Sequence, residues 1–203
     1  MTLFSKPKTN TIDDMMEKFA VKELVEFERF CRDNALWDEM HKCFAEDSSV
    51  NISWYQGDGH GFVEASKKSK TKAPHKLYNT LVWLNGRRAM AVTMASIQMR
   101  VDSEGKSYDL TSYVRFIYMA EKSDSQWKIR SLNCIYEKDS LVSSTIEEAL
   151  SSDQQGEYRS SYGNLSMLLE KDGCSIAATL PGDDRPELIE ELYKSQFDWL
   201  YGK

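Results

Sequence analysis

The stretch "FCRDNALWDEMHKCFAEDSSVNISWY", residues 30–55, decides the reading of this chain. It holds the end of one helix, a short second helix at "LWDEMHKCFA", and a strand at "SVNISWY". Upstream, Ile12, Met16, Phe19, Ala20, Val25, Phe27, Phe30 and Cys31 recur at helical spacing, with Asp13, Asp14, Glu17, Lys18, Lys22 and Arg29 mostly between them. Asp13 and Asp14 suit the N-terminus of that helix, where the macrodipole favours negative charge. The helix is expected to end near Asn34. Downstream, "QGDGHG" is a turn cluster and "FVEASKKSK" a third, short helix. Four β-rich runs follow, at His75–Leu84, Ala89–Val101, Tyr108–Met119 and Trp127–Tyr136. They are joined by "NGRR", "DSEGK" and "EKSDSQ". Asn85–Gly86 signals a type I′ hairpin turn. Long antiparallel strands with short turns make a curved meander.

Composition limits the function classes. The chain has 203 residues, 41% of them hydrophobic, enough for one well-cored domain. The net charge is −6 and no basic face stands out, which argues against a nucleic-acid partner. "KKSKTKAPHK", residues 67–76, reads as a solvated loop. The four cysteines show no CxxC spacing, so a reducing compartment fits better than a disulfide scaffold. The first residues lack the apolar run of a signal peptide, and no segment has the length and apolarity of a membrane span. A soluble, cytoplasmic protein is expected. Residues 1–11 read as a loose N-terminus, 12–140 as the main domain, and 141–203 as a helical extension that packs on the core or on a partner subunit. In that extension Asp184 is a cap candidate, and Pro186 opens a terminal helix lined by Leu188, Leu192, Phe197 and Leu200.

The order helix, helix, strand, helix, long antiparallel meander resembles the NTF2-like α+β cone, in which a curved antiparallel sheet wraps a long N-terminal helix. "DNALWDEMHKCFAEDSSVNISW" carries a W-x-x-x-x-x-x-F-A-x-D-x-x-V pattern similar to the SnoaL-like branch. "PHKLYNTLVWLNGRRAMAVT" resembles that branch's His-bearing strand, turn and Ala-rich strand, and "WKIRSLNCIYEKD" its closing strand. The branch includes scytalone dehydratase, bile-acid dehydratase and polyketide cyclases. The resemblance implies acid–base chemistry on an apolar or aromatic small molecule, with no metal and no organic cofactor. It also implies a homodimer or homotrimer formed through the convex sheet face, to which the Met-rich strand 90–99 offers apolar residues. The fold serves non-catalytic binders too.

Asp33 and His75 match the positions of a shared acid and base in that branch. His75 suits proton transfer near neutral pH, and Asp33 can orient its ring as the acid of a triad does. The alternative readings are a helix-end acid and a structural histidine. Cys43 reads as core and His41 as surface, since residues two apart on a helix face different ways. On "MASIQMRVD", Ala95, Ile97, Met99 and Val101 share one face, and Ser96, Gln98 and Arg100 the other. The polar face belongs either to water or, as in the branch's dehydratases, to the pocket. In the second case Arg100 stabilises a developing oxyanion, and Asp109 and Tyr113 face it from the next strand. Trp54, Tyr55 and Tyr78 are substrate-binding candidates, the tyrosines as hydroxyl donors, whereas Tyr136 reads as structural. The leading expectation is a cofactor-independent lyase of the dehydratase type, or a related isomerase or cyclase, acting on an aromatic, polyketide-like or terpenoid-like compound. Retro-aldol release of formaldehyde from a lignin-derived diol and a non-catalytic binding or dimerisation module are the alternatives.

Overall fold

A computed structural model of the protein describes residues 4–103, 106–143 and 158–202. The expected helical patches of residues 144–157 and the centre of the "DSEGK" connection lie outside the described residues. Helix α1 (Ile12–Asp33) opens with a capping box, in which Thr11 and Asp14 satisfy each other's backbone N–H groups. It closes in a Schellman arrangement. The Leu36 N–H donates to Cys31 O and the Ala35 N–H to Arg32 O, with Ala35 left-handed at φ 58° where glycine is usual. Helix α2 (Trp37–Cys43) follows at once, then β1 (Phe44–Ile52), β2 (Tyr55–Asp58) and α3 (Gly59–Lys68), which is capped by the Asp58 carboxylate.

The meander comprises β3 (His75–Asn85), β4 (Arg88–Ser103), β5 (Lys106–Ser123) and β6 (Gln126–Ser143). All its pairings are antiparallel; β1 then joins the far side of β6 in parallel, giving the order β2-β1-β6-β5-β4-β3. This is the expected NTF2-like α+β cone, a curved unclosed sheet around α1. The turn chemistry differs in one detail. The β3–β4 loop is Gly86–Arg87, with only Gly86 left-handed (φ 59°), as in a type II′ turn. The type I′ pattern belongs to the β5–β6 loop, where Asp124 and Ser125 are both left-handed.

Side-chain parity sets the two faces of the sheet. On β4, Ala91, Ala95, Ile97 and Met99 point into the cone with Val21, Val25, Phe62 and Phe116. Trp83, Met90, Ile117, Met119 and Ile135 point outward and pack beneath α5 (Pro186–Tyr201) through Tyr193, Phe197 and Leu200. Phe4 closes this outer cluster edge-on to Tyr193 and Phe197. Met90, expected on an open convex face, is therefore fully enclosed, while Met94 remains 40% exposed.

The long helix buries Val21, Val25 and Cys31 but mixes charge into that face. Phe19, Phe27 and Phe30, in phase with the apolar repeat, are 61, 41 and 54% exposed, whereas Glu28 and Arg29 are buried inside the cone. Among the described residues no helix is long and apolar enough to cross a membrane.

Candidate active site

Asp33 is the last residue of α1, and the Schellman turn fixes its direction. His75 is the first residue of β3, reached after Pro74. The two meet at the base of the cone. Asp33 Oδ2 accepts the His75 backbone N–H at 2.6 Å, and Oδ1 lies 2.8 Å from His75 Nδ1. Burial acts to raise the Asp33 carboxyl, but the hydrogen bonds from His75 outweigh it and hold the group below its ordinary range. An ionised carboxylate only accepts, so Nδ1 carries the proton and Nε2 the lone pair. Nε2 has no hydrogen-bond partner among the described residues. The His75 side chain is 4% exposed. Burial, reinforced by Arg29 and Arg32 and opposed by Asp33, pushes its pKa down to about 3, so the ring is neutral at pH 7.

His75 lines a narrow cavity inside the cone, with Ser69 and Thr71 at its rim. The wall includes Arg29, Arg32, Ile52, Ser53, Trp54, Ala73, Ile97, Phe116 and Tyr136. Its volume is about 30 Å³, room for a water or two. The mouth is covered by α4 (Gly163–Lys171), through Leu165 and Leu169, and by Cys174 beyond it. Tyr162 at the start of α4 supplies no side-chain cap. Asp139 of β6 does so instead, accepting from the Leu165 N–H and from Asn164 Nδ2, both at 2.8 Å. Tyr162 in turn packs on Tyr136 at 4.4 Å between ring centres. The opposite side of the Asp33–His75 pair borders an open surface cleft of about 370 Å³, flanked by Glu26, Phe30 and Leu77.

Several expected contacts fall elsewhere. Because Ile97 and Met99 point inward, Gln98 and Arg100 lie on the convex face. Arg100 makes a bidentate ion pair with Asp109 across the ladder at 2.6–2.7 Å, exposed to solvent. Tyr113 is exposed beside Lys138. Tyr78 is 58% exposed, with its hydroxyl on Ser96. The Tyr55 hydroxyl donates to Asp58 O, and its ring packs on Phe62 outside the cavity wall. Of the expected substrate contacts only Trp54 lines the cavity. Two wall residues that sequence reading passed over are Arg29 and Arg32; Tyr136, read as structural, also lines the wall, its hydroxyl accepting the Ser53 N–H at 2.9 Å. The signal for Arg29 was its i,i+4 spacing to Asp33, which puts both on one helix face. Cys43 is buried and His41 exposed, the latter stacked on His60 at 3.6 Å.

The SnoaL-like domain model matches residues 16–133, more than half of the chain. The chain belongs to the SnoaL-like domain family. A PEP2-like protein of Fusarium vanettenii is 26% identical over 208 residues, spanning 93% of this chain and 88% of that protein. Two solved structures share the fold. A hexachlorocyclohexane dehydrochlorinase of type 2 superposes with a TM-score of 0.56 at 11% identity, covering 70% of this chain and 97% of that one. A scytalone dehydratase candidate from Novosphingobium aromaticivorans has a TM-score of 0.51 at 16% identity, covering 68% of this chain and 97% of that one. Within the SnoaL-like frame, Asp33 and His75 hold the end of the first helix and the start of the long strand, in contact.

Proposed function

We propose that this SnoaL-like protein is a cofactor-independent lyase of the dehydratase type, or a related isomerase or cyclase, with His75 as the base and Asp33 as its positioning residue. The observation that carries the reading is the two-point grip of Asp33 on His75, which leaves the Nε2 lone pair unpartnered in the wall of a cavity otherwise rich in apolar and aromatic side chains. Such a wall suits an aromatic, polyketide-like or terpenoid-like ring. Nε2 takes a proton from the carbon beside an activating carbonyl. The C–H electron pair forms the new double bond, and the C–O bond to the neighbouring hydroxyl breaks. The imidazolium returns the proton to that oxygen, and water leaves. Asp33 stabilises the transient imidazolium. Proton transfer by a positioned side chain contributes about 10²–10⁴-fold.

Substrate access requires α4 to move, because a cavity of about 30 Å³ does not admit a ring. The fold relationship to a dehydrochlorinase and a scytalone dehydratase candidate supports elimination chemistry as the first class to assay. The test is a screen of hydroxylated ring compounds for loss of water, with His75→Ala as the control. Turnover that survives in His75→Ala would sink the assignment.

A further inference from the structure

The base of the cone holds more positive donors than the proton-transfer pair uses. Arg29 is 3% exposed and fixed between two aromatic rings, its guanidinium 5.3 Å from the centre of Phe116 and 5.7 Å from that of Phe62. Its Nε and Nη2 are taken by Glu28, which also accepts from the Tyr118 hydroxyl. Nη1 has no partner among the described residues. One turn on, Arg32 uses Nη1 for Asp33 Oδ1 and Ala73 O, both at 3.3 Å, while its Nε and Nη2 have no partner among the described residues. Both side chains line the cavity beside His75.

A buried ion pair such as Glu28–Arg29 gains little stability over apolar residues of the same volume, so fold stability does not account for its place at the centre of the cone. Arg29 and Arg32 both line the cavity, Arg29 bordering the open cleft as well, and guanidinium N–H groups without a protein partner favour an acceptor that is itself charged. Arginine's fork matches a carboxylate in particular. From this geometry we propose that the cavity recognises an organic acid, an apolar ring skeleton bearing a carboxylate, with the carboxylate seated against Arg32 and Arg29 next to His75. This deepens the lyase reading by naming the substrate class, and rests on that reading only for the identity of the site. An acid bound there also offsets the two cations that depress the His75 basicity, and so tunes the base while bound.

The test is a binding measurement that needs no turnover. Acetate, benzoate, cinnamate and 2-naphthoate are titrated by calorimetry against the full-length protein alongside their neutral amides. At least one acid is expected to bind about ten- to a hundred-fold more tightly than its amide, the range for hydrogen bonds to charged groups. Arg32→Gln is expected to remove that preference, and so is the charge-neutral double variant Glu28→Gln/Arg29→Gln, chosen because Arg29→Gln alone would leave Glu28 buried and unpaired. His75→Ala is expected to keep it. Amides binding as well as every acid, no acid binding at all, or a preference that survives in a folded Arg32→Gln protein would each overturn the proposal. Acid binding without dehydration of any compound would count against the lyase reading alone. Dehydration of neutral compounds without any acid preference would count against this inference alone.

Discussion

Asp33 holds His75 at two points, accepting its backbone N–H with one carboxylate oxygen and bonding its ring with the other. The helix end and the strand start are thereby locked together, and the ring's tautomer is set by the same group. Asp33→Asn breaks this arrangement, because an amide accepts through one atom only. Either the backbone N–H loses its partner, or the amide NH2 faces Nδ1 and turns Nε2 into a donor. We expect a drop in kcat of about 10²–10⁴-fold, and about as large a loss in the Asp33→Asn/His75→Ala double variant as in His75→Ala alone. Once a substrate is in hand, independent losses that multiply would sink the pairing.

Protonation of His75 gives a second measurable outcome. Its folded pKa lies at about 3 and its unfolded value near 6.5, so between these the unfolded chain binds more protons. The contribution of His75 to stability is then expected to be flat above about pH 6.5 and to fall as the pH drops toward 3, with Asp33 titrating as part of the same pair. His75→Asn removes this dependence. Nitrogen NMR of the ring at pH 4.5 is expected to show a neutral imidazole with the proton on Nδ1. An imidazolium signal for His75 at that pH contradicts the electrostatics described for the site.

The fold was readable because local signals agree with it. Trp37, Phe44, Ala45, Asp47 and Val50 fix the passage from α2 to β1, and the switch from period 3.6 to period 2 marks where the meander begins. The pair Asp33–His75 was readable through family resemblance. What periodicity does not settle is which face is concave. Alternation on β4 separates Ile97 and Met99 from Gln98 and Arg100, but curvature assigns the faces, and curvature is a property of the whole sheet. The same holds for α1. Its apolar repeat marks the buried face only in part: the cone encloses Val25 and Cys31 together with Glu28 and Arg29, and leaves Phe19 and Phe30 in solvent. Met90 could not be placed either, since its cover comes from α5, about a hundred residues further along the chain.

Ala35 offers a stability test at the end of α1. It holds φ 58° at the position where Schellman turns favour glycine. Ala35→Gly relieves a left-handed strain of ~1 kcal/mol against a smaller gain in unfolded-state entropy. A small rise in denaturation midpoint with unchanged activity is expected. A fall would mean that the rigidity of Ala35 contributes to placing Asp33.

Asp139 ties the mouth cover to the sheet through its bonds to Asn164 and Leu165. Asp139→Ala is expected to cost about 1 kcal/mol of α4 stability, as for loss of a helix cap. Amide exchange should quicken over residues 163–171 while β4 and β5 stay protected. If access through the mouth limits binding, ligand association accelerates in the same variant. Unchanged exchange in α4 would show that packing of Leu165 and Leu169 alone holds the cover shut.

Assembly follows from where apolar surface remains. With Met90 enclosed by α5, the largest exposed apolar side chains on one element are on α1, where Ile12, Met16, Phe19 and Phe30 are 54–75% exposed. A monomer rarely leaves such a run in water, because each side chain forgoes roughly 1.5–3 kcal/mol of burial. A homodimer or homotrimer is expected, held through α1 rather than through the convex sheet. Phe19→Glu should lower the mass measured by light scattering, and Met94→Glu on the convex face should leave it unchanged. A parent protein that scatters as a monomer at micromolar concentration would end this assignment, and the reverse response of the two variants would return the contact to the sheet.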